Sequence, residues 1–182
     1  MNTFALVAAV PVLVVLLLVF GRTFAQIYLK FRGPRVITCP ENHRPAGVTV
    51  DARHLWFTTL EDKPVLRLKT CSRWPEFQNC GQECLSQIEA APEDCLVRQI
   101  VTNWYHGKNC AVCGKPIGEL DWVGHQPALL NPDHRTIQWL DVPAGNIPDV
   151  LATHQPVCWN CHVVNRMMTQ HPELVTDRSR HA

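Results

Sequence analysis

Two cysteine pairs in the C-terminal half of the chain have the spacing of metal ligands. Cys110 and Cys113 form one Cys-x-x-Cys pair, followed by Gly114, and Cys158 and Cys161 form another. A bend of this length lets two thiolates reach one metal ion, and two such bends supply four sulfur ligands for a tetrahedral site. Glycine after the second cysteine allows the first bend to close tightly. This spacing predicts a structural zinc site made of the four cysteines.

The second pair also fits a different chemistry, because His162 follows it directly. Cys-x-x-Cys-His is the attachment motif of c-type haem, in which Cys158 and Cys161 form thioether bonds and the histidine binds the iron. Haem is attached on the outer side of the membrane, so this alternative requires export of the domain. A single-haem c-type cytochrome, which transfers electrons, is therefore one alternative function. It leaves the first cysteine pair without a role.

A second group of cysteines lies in the first half of the chain. Cys80 and Cys84 are four residues apart and would point the same way on a helix. Cys39 and Cys71 lie at the ends of strand-like segments, so the four residues are a candidate second metal site. An iron–sulfur cluster is compatible with the same ligands. Cys95 is left over, and we expect it to be a buried thiol on the next helix.

A second alternative function comes from the order of three polar residues. His125, Asn146 and His162 follow the order that characterises the metal-dependent nucleases named for their His-Asn-His residues. The chain departs from that family, because Gly124 replaces the usual acidic residue and Asn146 lies unusually far before Cys158. The sequence contains no nucleotide-binding loop and no Ser-His-Asp order. These absences favour a protein that is not an enzyme, and a nuclease of the His-Asn-His type is kept as the second alternative.

The composition sets limits on the class of protein. The chain has 182 residues, of which 46% are hydrophobic and 18% are charged, and this balance argues against a disordered protein. The net charge of +1 argues against a dedicated nucleic-acid binder, which is normally clearly basic. The nine cysteines are an odd number, so a framework of disulfides would leave at least one thiol unpaired.

An apolar segment near the N-terminus predicts a membrane anchor. No charged residue occurs from Phe4 to Phe20, and the apolar run that continues beyond Arg22 reaches the length that crosses a bilayer, roughly 20 residues. Basic residues follow this segment and none precede it; they are Arg22, Lys30, Arg32 and Arg35. The positive-inside rule then predicts an uncleaved single-pass protein of the inner (cytoplasmic) membrane, with its soluble part in the cytoplasm. A periplasmic soluble part is the alternative.

Bulky residues continue at helical spacing after the apolar segment, namely Phe20, Phe24, Ile27, Tyr28 and Phe31. One interpretation is a helix along the membrane surface, with aromatic rings in the interface and basic groups near anionic headgroups. The other is a helix that packs this stripe on the soluble domain. In both, Gly33-Pro34 ends the helix.

The remaining chain reads as short strands and helices that would position the cysteines, so the predicted fold class is α+β. Three regions are expected: 1–35 as the transmembrane and basic juxtamembrane helix, 36–107 as a strand-then-helix cysteine-rich region, and 108–182 as the zinc-binding module. The predicted elements after the anchor are strands within Val36–Lys69, helices at Gln82–Ala90 and from Pro92 to Gly107, hairpin strands at Leu120–Val123 and Thr136–Leu140, and helices at Ile147–Ala152 and from Cys158 to before Pro172.

Two resemblances extend this interpretation. The order of a cysteine bend, a hairpin and a second cysteine pair at a helix start resembles the treble-clef zinc domains. It covers about Trp104–Pro172 and implies Cys110, Cys113, Cys158 and Cys161 as the ligands. The stretch from Val36 onward resembles a group of uncharacterised, membrane-anchored, cysteine-rich bacterial proteins, through the motifs CSRWPE at 71–76, CGQEC at 80–84 and VCWNCH at 157–162. This second resemblance implies no activity.

Together these patterns predict a membrane-anchored, zinc-binding protein that acts as a non-enzymatic interaction or assembly module. Its expected partners are membrane lipid and a protein at the membrane, and nucleic acid is not among them. The cofactor is expected to be zinc at one site, with a second site as a further candidate and haem c or an iron–sulfur cluster as alternatives.

Overall fold

The chain divides into two compact units, Met1–Leu96 and Val97–Ala182, each containing both helices and strands. The computed structural model describes residues 3–60, 64–77 and 79–172. The boundary between the two units, at Leu96 and Val97, lies ahead of most of the helix that was predicted from Pro92 to Gly107 at the end of region 36–107. That helix therefore belongs to the C-terminal unit.

The first helix, α1, covers Thr3–Phe31 and contains Pro11. Its segment Val10–Phe31 has 22 residues, a mean hydropathy of 2.1 and no buried portion. Within the part of the chain that the structure describes, α1 is the one helix long and apolar enough to cross a membrane. Signal sequences pass the same test, so length and composition make α1 a candidate span.

A buried arginine terminates α1 and joins it to the N-terminal unit. Gly33 has a φ of +99°, which turns the chain out of the helix. The completely buried Arg35 donates hydrogen bonds of 2.7 Å to the carbonyl oxygens of Lys30 and Phe31, and it also bonds to that of Pro92 at 3.3 Å. The charge of Arg35 therefore stabilises the negative end of the helix. Arg35 is therefore not exposed to lipid headgroups. The basic residues that remain for the positive-inside rule are the exposed Arg22, Lys30 and Arg32.

The aromatic stripe of α1 packs partly on the soluble portion of its own unit. The Phe24 ring stacks on Tyr28 and meets Trp56 edge-on, with ring centroids 5.3 Å apart in the second pair. Phe31 packs against the hydrophobic core of the unit. These contacts favour the second interpretation of the stripe over a helix that lies along the membrane surface.

The N-terminal unit contains an antiparallel sheet in the order β1-β2-β3. Its elements after α1 are β1 (Arg35–Thr38), β2 (Pro45–Val50), α2 (Ala52–Leu60), β3 (Leu68–Cys71) and α3 (Leu85–Ala90). Alternate residues of β2 are buried and form the core with Ile37, Leu68 and Ile88. Strands were predicted for this region, whereas α2 was not.

The C-terminal unit builds a second antiparallel sheet, in the order β5-β4-β6. Its elements are α4 (Val97–Tyr105), β4 (Ala128–Leu130), β5 (Thr136–Ile137), α5 (Ile147–Thr153), β6 (Gln155–Val157) and α6 (Trp159–Gln170), with short 3-10 turns at Trp139–Asp141 and Ala144–Asn146. The predictions of α5 and α6 are confirmed.

Two predicted elements of this unit differ from the structure. The first hairpin strand is Ala128–Leu130 and not Leu120–Val123, because the Asp121 carboxylate accepts hydrogen bonds from the backbone N–H groups of Val123 and Gly124 and turns the chain there. Helix α4 begins at Val97 and not at Pro92. A turn in which the Leu96 N–H bonds to the Glu93 carbonyl precedes it.

Tyr105 fastens α4 to the hairpin from inside the core. Its hydroxyl donates a hydrogen bond of 2.6 Å to the Ala128 carbonyl and accepts one of 3.1 Å from the Trp139 indole N–H. Burial is the largest influence on its ionisation and raises the pKa of Tyr105. Val101 and Tyr105 are the buried residues of α4 and define the face that packs in the core.

Candidate metal centre

The first Cys-x-x-Cys bend is closed by backbone hydrogen bonds. The Cys110 N–H donates to the Lys115 carbonyl, and the Gly114 N–H donates to the Cys110 carbonyl, both at 2.8 Å. Gly114 has a φ of +71°, a conformation in which a side chain would be strained. The glycine therefore has the role in the bend that the sequence indicates.

The second pair occupies the junction between β6 and α6. Cys158 has an extended backbone and immediately precedes α6, whose first turn contains Cys161. The Ala111 N–H donates to the Pro156 carbonyl at 2.8 Å, and the Cys158 N–H donates to the sulfur of Cys110 at 3.3 Å. These two bonds hold the two bends against each other.

All four sulfur atoms of Cys110, Cys113, Cys158 and Cys161 lie within 4.8 Å of one another. The sulfurs of Cys113 and Cys158 are 3.8 Å apart, and tetrahedral bonds of ~2.3 Å would separate two sulfurs by about this distance. Across the described ranges, no other set of three or more Cys, His, Asp or Glu side chains is gathered closely enough to hold an ion. The four cysteines can therefore bind a metal ion.

The ionisation of these thiols differs from site to site. Burial acts to raise the pKa of Cys110, but the backbone N–H groups of Cys158, Cys113 and Val112 outweigh it and lower that pKa to about 6. Burial raises the pKa of Cys158 and of Cys161, and the neighbouring sulfurs raise it further. The thiolate of Cys110 is thus favoured without a cation, whereas the raised pKa values of Cys158 and Cys161 mean that these two thiols ionise more readily beside a positive charge.

His162 lies beside this cluster but faces a separate polar group. It is 3% exposed; its Nδ1 lies 2.8 Å from the Thr136 hydroxyl and its Nε2 lies 3.1 Å from the Gln138 side-chain nitrogen. Burial lowers the pKa of His162 and keeps the ring neutral. Both ring nitrogens are thus occupied by side chains of the hairpin region, and the sulfurs of Cys158 and Cys161 face the other cysteine pair.

The residues named for the nuclease alternative are not joined to one another by the described hydrogen bonds. His125 is exposed, with its Nδ1 3.7 Å from the Asp121 carboxylate, and its ring contacts Trp159, which also contacts His162. Asn146 is exposed at the start of α5, and no described hydrogen bond joins it to either histidine.

The cysteines of the N-terminal group line a single cavity of about 160 Å³. They are Cys39, Cys71, Cys80 and Cys84, and they are not gathered as closely as the C-terminal four. Burial, followed by the charges of Cys80, Cys71 and Cys39, raises the pKa of Cys84 to about 11. The second metal site therefore stays a prediction, with its four residues around one space.

Cys95 stands apart from both groups. Its sulfur donates to the carbonyl oxygens of Ala91 at 3.4 Å and Pro92 at 3.6 Å, and the side chain is half-buried. It precedes α4 and does not lie on it, because the chain is still in the turn before Val97. All nine cysteines are free thiols in this structure.

Two features near these groups carry no clear signal in the sequence. A second cavity, of about 350 Å³, lies beside His162 and is lined by polar side chains that include Asn165 and Arg166. Arg73 lines the cavity of the N-terminal cysteines, and its Nε is buried without a hydrogen-bond partner in the described structure. Both follow from loops meeting helices, which spacing along the chain does not reveal.

Comparisons of the chain with protein-family models, with curated proteins and with solved structures find no match. The function must therefore be argued from the site itself.

Proposed function

We propose that this protein is a membrane-anchored zinc protein whose C-terminal unit is a treble-clef-like interaction or assembly module. One structural zinc would be bound by Cys110, Cys113, Cys158 and Cys161. The observation that carries the proposal is the meeting of these four sulfurs within 4.8 Å of one another. The bend, the β4–β5 hairpin and the β6–α6 junction follow one another in the order of a treble clef.

The ligand set supports a structural role over a catalytic one. Catalytic zinc keeps one coordination position open for water or substrate, whereas four cysteines fill all the positions. Four thiolates around a dication also carry a net charge of about −2, which makes the metal a poor Lewis acid. The free energy of zinc binding then contributes to the stability of the fold, because the unfolded chain has no preformed site.

An exposed apolar face on α6 supports the interaction role. Val164, Met167 and Met168 are each about half exposed, and their spacing of three and four residues puts them on one side of the helix. Methionine side chains adapt to partners of different shape and are common at binding surfaces. The face lies on the helix whose start carries two of the zinc ligands, so loss of zinc would also disorganise it.

The anchor and its direction are also part of the proposal. The apolar length of α1 supports a span, and the exposed Arg22, Lys30 and Arg32 support a cytoplasmic soluble part. A green fluorescent reporter fused after Ala182 should fluoresce, and alkaline phosphatase at the same place should be inactive. Active phosphatase would contradict the direction and favour the haem alternative.

Metal analysis of the full-length protein in detergent tests the zinc site. The parent should carry zinc, and Cys113→Ser should lose one zinc per chain because an exposed serine replaces one ligand. Cys95→Ser is the matched control and should retain the full amount. A Soret band in the parent, or unchanged zinc in Cys113→Ser, would refute the proposed site.

A further inference from the structure

Most of the cysteines of the N-terminal unit line one cavity. Four of the five cysteines of that unit line it, and Cys95 does not. The four come from four different places in the fold. Cys39 follows β1, Cys71 ends β3, Cys80 lies in the loop after β3, and Cys84 immediately precedes α3. Four thiols from separate parts of the sequence therefore converge on one space.

The strands that carry or precede two of these cysteines lie far apart in the sheet. Strands β1 and β3 are separated by β2, so their backbones lie two strand spacings apart, roughly 10 Å. The cysteine after β1 is fixed by the hairpin, because the Cys39 N–H donates to the Arg44 carbonyl and the Cys39 carbonyl accepts from the His43 N–H. The backbone segments that carry Cys39 and Cys71 are therefore widely separated.

The contrast in spacing limits what the space can hold. In the C-terminal unit the sulfurs lie within 4.8 Å of one another, as four ligands of one ion do. The N-terminal four are not gathered in this way and enclose a cavity of about 160 Å³. An occupant that touches all four sulfurs must contain several atoms. Four thiolates around a multi-atom inorganic core is the ligand pattern of iron–sulfur clusters.

The walls of the cavity fit such an occupant. Ile37, Leu68 and Trp74 provide an apolar lining, which limits the access of water. The Gln82 N–H donates to the sulfur of Cys80 at 3.4 Å, and hydrogen bonds of this kind stabilise cluster thiolates. Arg73 also lines the cavity; its guanidinium pairs with the Glu76 carboxylate at 3.0 Å, and its buried Nε has no hydrogen-bond partner among the described residues. An anionic cluster would supply one.

We propose that the N-terminal unit binds an iron–sulfur cluster through Cys39, Cys71, Cys80 and Cys84. This site is independent of the zinc site of the C-terminal unit. It adds an inorganic cofactor to the proposed function and does not depend on the identity of any protein partner.

The test uses the full-length protein in detergent, purified without oxygen and incubated with ferric iron, sulfide and a thiol, which reduces part of the iron to the ferrous state that a mixed-valence cluster needs. The parent should bind iron and acid-labile sulfide in equal amounts and show broad sulfur-to-iron absorption in the visible range. Cys80→Ser should lose most of this iron, because it removes one of the four proposed ligands. Cys80 is chosen because it lies outside the strands and helices, so its replacement should disturb the fold least. Cys95→Ser, a half-buried cysteine of the same unit, is the control and should keep the full amount.

Further measurements separate this proposal from its competitors. Cys113→Ser should lose zinc and keep iron, so that failure of the zinc site leaves the cluster signal intact. A parent with a second zinc and no labile sulfide would overturn the proposal, and so would disulfides among these four cysteines in a freshly alkylated sample. The sulfide content of the parent is informative even if Cys80→Ser does not fold.

Discussion

The two cysteine groups use the same number of thiols in different settings. In the C-terminal group the bends lie against each other through backbone hydrogen bonds, and N–H donors lower the pKa of Cys110 to about 6. In the N-terminal group the thiols line a cavity, and burial with neighbouring thiols raises the pKa of Cys84 to about 11. The comparison teaches that local bends create a preformed site for one ion, whereas cysteines from separate elements enclose a larger space.

Replacing Cys161 by serine should have the largest effect on this comparison. The binding free energy of a structural zinc, about 10 kcal/mol or more, rivals the whole stability of a small domain. The C-terminal unit of Cys161→Ser should therefore unfold while the N-terminal unit stays folded. Limited proteolysis with mass spectrometry should show cleavage confined to the region after Leu96. Equal protection of both units would contradict a structural zinc.

Replacing Arg35 by leucine should destabilise the N-terminal unit. The substitution leaves the carbonyl groups of Lys30, Phe31 and Pro92 without their charged donor, at a cost of about 3 kcal/mol or more. Hydrogen exchange should increase at the end of α1 and in β1, with the zinc content unchanged. Arg32→Leu removes an exposed arginine and is the control. Similar exchange in the two variants would refute the role of Arg35.

The sequence alone predicted some of these features and not others. The gathering of the four C-terminal cysteines was predictable because each bend is local. Strand β5 and helix α6 were also predicted, whereas the strand expected at Leu120–Val123 lies at Ala128–Leu130. Helix α2 was missed because its threonines and aromatic residues also suit a strand. The signal that nucleates it was present, since Asp51 accepts a hydrogen bond from the His54 N–H at the helix start.

The N-terminal cysteines show the limit of such reasoning. Their spacing along the chain named the four residues but not the space between them, because that space depends on the width of a sheet and on a loop. The burial of Arg35 was equally hidden, since only the folded unit brings the Pro92 carbonyl to the end of α1.

Tyr105→Phe should have an intermediate effect, confined to the C-terminal unit. Loss of the hydroxyl removes the hydrogen bonds from Tyr105 to the Ala128 carbonyl and from the Trp139 N–H to Tyr105, at a cost of about 1–3 kcal/mol. Urea unfolding of that unit, followed by tryptophan fluorescence, should shift to a lower midpoint. Tyr28→Phe on the exposed side of α1 should leave this midpoint unchanged. An unshifted midpoint for Tyr105→Phe would argue against the hydroxyl as the fastening between α4 and β4.

The smallest expected effect on the metal is that of His162→Ala. His162 binds Thr136 and Gln138 and lies outside the group of four sulfurs. The variant should keep the zinc content of the parent, although it loses buried packing. Zinc loss equal to that of Cys113→Ser would mean that the histidine is a ligand.

X-ray absorption at the zinc edge of the full-length protein tests the central claim most directly. The account predicts a first shell of sulfur alone, with four atoms at ~2.3 Å from the metal. A nitrogen or oxygen at ~2.0–2.1 Å in place of one sulfur would contradict it, because His162, another histidine or water would then complete the site.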